Sequence, residues 1–301
     1  MRELLEKYAK HLELERSISP LTVRNYLHDV RGFLDYLEEQ KVGSLEKVDR
    51  RTMRGYLGWL HQRKYVRRSI TRKLSALRSF YRYLARENLA RAQPLSSLSA
   101  PKLEKRLPAF LGLEEVWRLL EAPQCSSPLE SRDRAILETL YAAGLRVSEL
   151  AALDLEDISL DSREIRVWGK GSRERIALIG GPAASALADY MDRARLKLMG
   201  KDETNALFLN RFGCRLSERG IQNMVRKYAR KAGIDMRVFP HVMRHTFATH
   251  LLDGGADLRS VQDLLGHARL SSTQVYTHVT RSQMRRNYLA AHPRSRERKE
   301  Q

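Results

Sequence analysis

Residues 163–180 read REIRVWGKGSRERIALIG, and the fold class turns on them. On either side of Gly169-Lys170-Gly171, apolar and polar residues alternate. That is the period of a strand with one face buried, so the stretch predicts a β-hairpin with Lys170 at its tip. The flanking sequence has a different period. Upstream, GLEEVWRLLEA (112–122) and SRDRAILETLYAAGLRVSELAAL (131–153) repeat their apolar residues every three or four positions. Downstream, AASALADYMDRARLKL (183–198) and SERGIQNMVRKYARKAGI (217–234) do the same, as amphipathic helices require. A hairpin set among helices predicts a mainly α protein with a small antiparallel β-sheet.

At 301 residues the chain exceeds what a single core normally serves, and two domains are expected. The stretch AQPLSSLSAPKLEKRLPAF (92–110), with three prolines and several serines, reads as the connection between them. The expected organisation is a helical domain over 1–98, a linker over 99–110, an α-rich domain with the hairpin over 111–292, and a charged, disordered tail over 293–301.

The formal net charge is +19 and the pI about 10.2, which calls for a polyanionic partner, nucleic acid or an anionic membrane. No long uncharged apolar run is present, and the first residues mix acids with bases where a signal peptide would have an apolar block, so a soluble, cytoplasmic protein without membrane contact is expected. Cys125 and Cys214 have no C-x-x-C partner and read as buried, inert thiols. The positive charge is concentrated. From Arg50 to Arg86 there are twelve Lys or Arg residues and no acid, interleaved with Tyr56, Trp59, Tyr65, Phe80, Tyr81 and Tyr83. Within this run, Ile70, Leu74, Leu77, Tyr81 and Leu84 form one helical stripe, and Arg68, Arg72, Ser75, Ser79 and Arg86 fall opposite. A basic, small-polar face suits a helix entering a DNA groove; a solvated surface is the plainer alternative. Ahead of it, Val23, Leu27, Val30, Leu34 and Leu37 mark a second helix starting near Pro20.

Residues 241–279, HVMRHTFATHLLDGGADLRSVQDLLGHARLSSTQVYTHV, hold five of the nine histidines. His241, His245 and His250 have ligand-like spacing, but the H-E-x-x-H pattern needs a glutamate where Val242 stands, and no acid lies between His241 and His250. The helix signals are clearer. Pro240 starts one helix, placing Arg244 a turn after His241. Asp257 caps a second, which stops at Gly266 and leaves His267 on the next loop. Ser271-x-x-Gln274 opens a short third helix carrying Tyr276. Phe247, Leu251, Leu252, Val261, Leu264 and Leu265 are the expected core behind them. A single such histidine, taken alone, is better explained by a structural hydrogen bond.

Taken together, H-x-x-R-H-T-F-A-T-H-L-L, D-L-R-S-V-Q-D-L-L-G-H-A and S-S-T-Q-V-Y-T-H-V resemble the signature of the tyrosine recombinases (phage integrase family), in detail the Xer branch. The likeness extends through RDRAILETLYAAGLRVSEL, IRVWGKGSRERIAL and SITRKLSALRSFYRYL, so it spans nearly the whole chain. YLAAHPRS near the end leans towards the XerC side of that branch over the XerD side. The resemblance implies a SAM-like, core-binding helical bundle followed by the catalytic domain, the two forming a C-shaped clamp on DNA. It assigns the active site to Arg146, Lys170, His241, Arg244, His267 and the nucleophile Tyr276. Glu149, three residues past Arg146, would orient that arginine.

The implied chemistry is attack of the Tyr276 oxygen on a DNA phosphodiester, giving a 3′-phosphotyrosyl bond and a free 5′-hydroxyl. A free tyrosine has a pKa of about 10, so supplying the phenolate at neutral pH costs about 4 kcal/mol. His241 or His267 would take the proton, with the other bonding the phosphate. Arg146 and Arg244 match the nonbridging oxygens with paired donors, and Lys170 suits protonation of the leaving 5′-oxygen. The covalent bond retains the phosphodiester's energy, so no cofactor is implied. Arg68, Arg72, Arg86, Arg219 and Lys227 are the candidate DNA contacts. The implied partners are duplex DNA with a dif-like site of two half-sites, a tetramer formed with copies of the chain or with a second Xer recombinase, and an FtsK-type translocase. The carboxyl-terminal helix, with Met284, Tyr288 and Leu289, would dock on a neighbour in that tetramer; packing on its own domain is the alternative. The alternatives are a phage or transposon integrase of the same family, a type IB topoisomerase-like activity, or a DNA-binding protein without chemistry; the last is disfavoured because every catalytic position is filled.

Overall fold

The computed structural model describes residues 2–15, 20–90, 109–169, 174–200, 203–266 and 278–295. The chain divides into two compact units, Met1–Arg106 and Leu107–Gln301. Most of the expected linker, 99–108, lies outside the described residues.

In the first unit the expected periods become helices α1 (Arg2–Lys10), α2 (Pro20–Glu39), α3 (Arg50–Gln62) and α4 (Arg67–Arg86). Asp49 caps α3, its carboxylate accepting the Thr52 N–H at 2.7 Å. Val23, Val30, Leu34 and Leu37 of α2 are buried together with Ile70, Leu74, Leu77, Tyr81 and Leu84 of α4. Tyr56, Phe80 and Tyr83 belong to the same core, so most of the aromatics interleaved with the basic run pack inward. The run's lack of acids is also compensated from elsewhere. Asp29 of α2, fully buried, accepts from Lys73 at 3.1 Å and from Arg72, and Lys73 is itself buried against the Tyr65 ring. A carboxylate removed from water must be paired in this way.

The second unit contains α5 (Leu113–Glu121), α6 (Pro128–Ala143), α7 (Val147–Ala152), the strands β1 (Ile158–Ser159), β2 (Glu164–Trp168) and β3 (Glu174–Leu178), then α8 (Gly181–Asp189), α9 (Arg195–Leu198), α10 (Glu218–Lys231), α11 (Pro240–Asp253), α12 (Leu258–Leu265) and α13 (His278–Ala291). The sheet is antiparallel in the order β1-β2-β3, with Glu164 opposite Leu178 and Trp168 opposite Glu174. Helix α6 buries Ala135, Ile136, Leu137, Leu140, Tyr141, Ala142 and Ala143, nearly its full circumference, and so lies at the centre of the larger core. The single helical stretch read over 131–153 is broken at Gly144, where φ is +56° and an added Cβ would stand 2.4 Å from the Phe247 ring. That break is what frees Arg146 to begin α7.

A smaller core joins Phe247 and Leu251 of α11 to Val261, Leu264 and Leu265 of α12, Leu178 of β3, and Tyr288 and Ala291 of α13. Leu252, expected in this core, is 40% exposed, because it is one helical step round from Leu251. The apolar face of α13, expected on a neighbouring copy, packs within its own unit. Packing also continues into the expected tail: Arg294 pairs with the buried Glu138 of α6 and lies over the Trp117 ring at 4.5 Å. An otherwise uncompensated buried carboxylate accounts for the difference. Both cysteines correct their expectation as well. Cys125 and Cys214 are free and exposed, each in a loop between elements.

His292 offers a test of this packing. It is buried between Tyr288 and Tyr141, its Nε2 lies 3.3 Å from the Tyr141 carbonyl oxygen, and its Nδ1 accepts the Arg294 N–H at 3.1 Å. One donor and one acceptor role match a neutral ring, and a second proton would confront the Arg294 N–H. Burial lowers its pKa from 6.5 to about 3, and the His250 and Arg294 charges act in the same sense. Its contribution to stability is therefore complete above the unfolded pKa of about 6.5 and is lost as pH falls from there towards 3. At pH 5 the loss is about 2 kcal/mol, roughly 4–8 °C in Tm. Thermal unfolding at pH 7 and pH 5 should show that drop in the native chain and a smaller one in His292→Phe; equal drops would remove His292 as its source.

Candidate active site

The site grows from the break at Gly144. Arg146 is the cap residue of α7, and Glu149 in the first turn reaches back to accept its N–H at 2.8 Å and its guanidinium at 2.5 Å. The Glu149 side chain is 4% exposed and that of Arg146 43%, so a buried carboxylate holds a guanidinium that opens to solvent. Glu149 thus contacts the arginine it was expected to orient, and its contacts extend further. Arg175 of β3 donates to Glu149 Oε2 at 2.8 Å, and Arg244 of α11 stands 3.8 Å from the same oxygen.

Arg244 is also a strut between segments. One terminal nitrogen donates to the Gly144 carbonyl and the other to the Leu265 carbonyl, both at 2.6 Å, tying the end of α6 to the end of α12. Burial, reinforced by the charges of Arg146 and Arg175 against that of Glu149, lowers the Arg244 pKa to about 10, which leaves it cationic at neutral pH. Burial by itself would raise the Glu149 pKa, but the Arg175 charge and the Arg146 hydrogen bonds outweigh it and hold the carboxyl below its ordinary value. Three guanidiniums around one carboxylate leave excess positive charge, an arrangement suited to a phosphodiester.

Helix α11 begins with Pro240 in its first turn, as expected, and presents His241 to solvent, stacked on Phe239 with ring centroids 5.5 Å apart. The Arg226 guanidinium lies 5.6 Å from the Phe239 ring. His250 is buried with Nδ1 2.8 Å from the Tyr141 hydroxyl and has the structural role that a lone histidine of this segment suggested. Asp257 caps α12 by accepting the Ser260 N–H at 3.0 Å, and Gly266 ends it with φ +65°. Arg146, Glu149, His241 and Arg244 are therefore described, whereas Lys170, His267, Tyr276 and the Ser271 to Gln274 start of its helix lie outside the described residues. Sequence reasoning missed Arg175; the available signal was a cation at an alternating position of the ERIAL strand.

The candidate DNA contacts differ among themselves. Arg68 and Arg219 are exposed, the latter in the first turn of α10. Arg72 is bound to Asp29, Arg86 pairs with Glu87 at 3.2 Å, and Lys227 rests over the Tyr228 ring at 4.7 Å. Among the described residues, no group of three His, Cys, Asp or Glu side chains could hold a metal ion, and no helix is long and apolar enough to cross a membrane.

The profile of the Phage integrase family matches residues 109–283, and that of its N-terminal SAM-like domain matches residues 5–88. The chain belongs to the phage integrase family of tyrosine recombinases, enzymes that cut and rejoin DNA at specific sites. Within it, the chain sides with the Xer recombinases. It is 47% identical to tyrosine recombinase XerC of Pelotomaculum thermopropionicum, covering 97% of this chain and 98% of that one. It is 41% identical to tyrosine recombinase XerD of Staphylococcus epidermidis, covering 98% of this chain and all of that one. The solved structure of the XerH site-specific recombinase bound to its difH substrate, a pre-cleavage complex, is similar with a TM-score of 0.68 and 25% identity, covering 91% of this chain and 80% of that one.

Proposed function

We propose that this recombinase resolves chromosome or plasmid dimers in the cytoplasm by cutting duplex DNA at a dif-like site and joining the ends to a second duplex. The Tyr276 oxygen attacks the scissile phosphorus as the bond to the 5′-oxygen breaks. His241 or His267 takes the phenol proton, and Lys170 delivers one to the leaving oxygen. Arg146 and Arg244 hold the nonbridging oxygens, on which charge grows. The reverse attack, by a 5′-hydroxyl from the other duplex, completes the exchange without added energy. Both domains contact the duplex, the first through Arg68, Arg72 and Arg86 and the second through Arg219 and Lys227. Four protomers act together on two sites, either as copies of this chain or with a second Xer recombinase, and a translocase of the FtsK type regulates them.

The observation that carries this reading is the pairing of Arg146 and Arg244 about the buried Glu149. The wording of the relatives' names, XerC and XerD, supports the Xer assignment. The test is to incubate the protein with a nicked duplex bearing a dif-like site and recover adducts that resist denaturant. Protease digestion should leave the nucleotide on the peptide containing Tyr276; a nucleotide on any other residue overturns the assignment. Products joining two different duplexes are expected, and relaxation of a supercoiled plasmid without joint products would instead favour the topoisomerase-like alternative.

A further inference from the structure

Two arginines compete for Oε2 of Glu149. That oxygen accepts the Arg146 N–H and an Arg175 N–H, each at 2.8 Å, which fills both of its lone-pair sites. Arg244 stands 3.8 Å from the same oxygen, beyond hydrogen-bond reach, and gives its terminal nitrogens to the Gly144 and Leu265 carbonyls instead. Arg175 is fixed in its place by contacts of its own. Its other terminal nitrogen donates to the Leu264 carbonyl at 3.1 Å, and its side chain, 13% exposed, fills the space beside Gly266, where an added Cβ would stand 2.6 Å from Cδ of Arg175. Arg175 pairs across the sheet with Val167 of β2, and the next residue, Ile176, packs on the core of Val261, Leu264 and Leu265. A guanidinium held between a carboxylate and a carbonyl, on a paired strand, thus keeps Arg244 from closing on the carboxylate that attracts it.

We infer that Arg175 is a positioning residue for Arg244: by filling Glu149 Oε2 it leaves that guanidinium on the two backbone carbonyls, with its remaining N–H groups available to a nonbridging oxygen of the scissile phosphate. A direct bond from Arg244 to Glu149 would harm the site in two ways. It would pull Arg244 off the carbonyls that tie the end of α6 to the end of α12, and it would commit to the protein a donor and a charge that the transition state needs. Arg175, mostly buried, acts on the reaction through Arg244 and not by touching the phosphate. This inference rests on the active-site reading above.

The experiment is a double-mutant cycle on single-turnover cleavage of a nicked duplex bearing a dif-like site. Arg175→Met fills a similar volume without the charge or the donors. It should bind the duplex within about twofold of the native chain but cleave it roughly ten- to a hundredfold more slowly, the cost of a small misplacement. In an Arg244→Ala background the same substitution should change the rate by about twofold or less, because the group it positions is gone. A native rate in Arg175→Met overturns the inference, and so does an equal loss in both backgrounds, which would mean that Arg175 serves another group or the fold alone. A second substrate carries a methylphosphonate at the scissile position, which is uncharged and leaves a guanidinium little charge to hold. The deficit of Arg175→Met should shrink on it; a deficit of the same size on both substrates also overturns the inference. If the methionine variant fails to fold, Arg175→Gln, whose amide can hydrogen-bond Glu149 but carries no charge, decides by the same comparisons. Native rates in Arg244→Ala alone would instead overturn the active-site reading and this inference with it.

Discussion

Glu149→Ala is expected to cost about 3–5 kcal/mol of stability and to abolish measurable adduct formation, the larger structural effect of any single change in the site. The carboxylate accepts the Arg146 N–H, the Arg146 guanidinium and Arg175, with Arg244 at 3.8 Å. Alanine leaves the mostly buried Arg175 without its counterion, removes the cap of α7, and brings three like charges together unopposed. Glutamine is a poor substitute. Its single amide oxygen can take the place of only one of the two carboxylate oxygens, and its NH2 group then faces an N–H at the other, so Glu149→Gln should recover only part of the loss. Thermal unfolding followed by near-ultraviolet circular dichroism would register the alanine change as a fall of roughly 10 °C. A midpoint equal to that of the native chain would mean that solvent, not Glu149, balances these charges.

Arg244→Ala is expected to lower the rate of adduct formation by a factor of about 10²–10³ with little change in duplex affinity, the signature of a donor that acts on charge developing in the transition state. It should also lower stability, since the Gly144 and Leu265 carbonyls each lose a 2.6 Å bond. Arg244→Lys separates the two roles. A single ammonium retains the charge but cannot span both carbonyls and still present paired donors, so the kinetic loss should persist while part of the stability returns. Single-turnover cleavage at saturating protein measures the first quantity and denaturant unfolding the second. Native single-turnover rates in Arg244→Ala would remove this arginine from the chemistry.

The parts of the molecule legible in the sequence are those governed by local rules. Periodicity identified the inward faces of α2 and α4 because burial is read along one element at a time, and Asp257, Gly266 and Pro240 marked helix ends because capping is a matter of a few adjacent residues. That Arg146, Glu149 and Arg244 come together was legible through their motifs. Long-range ion pairs were not. Asp29 and Lys73 are 44 residues apart, Glu149 and Arg175 are 26 apart, and no local pattern announces either meeting. The same limit explains the surprise at Arg294, whose partner Glu138 lies far upstream in a helix that reads as ordinary core. The break at Gly144 was hidden for a different reason. Its apolar neighbours continue the helical period on both sides, and the left-handed φ and the Phe247 ring that disfavour a side chain there arise only in the folded chain.

The inward turn of Lys73 bears on how tightly this protein should hold a polyanion as ionic strength changes. Each phosphate neutralised by a protein cation releases condensed counterions, so the logarithm of affinity falls with that of salt by about 0.9 per neutralised phosphate. Tallying the lysines and arginines from Arg50 to Arg86 would overstate that slope. Lys73 can release no counterion at all, and Arg72 must first loosen its hold on Asp29. The effective valence of this surface is lower than its composition suggests, and Asp29 is the residue that sets the difference.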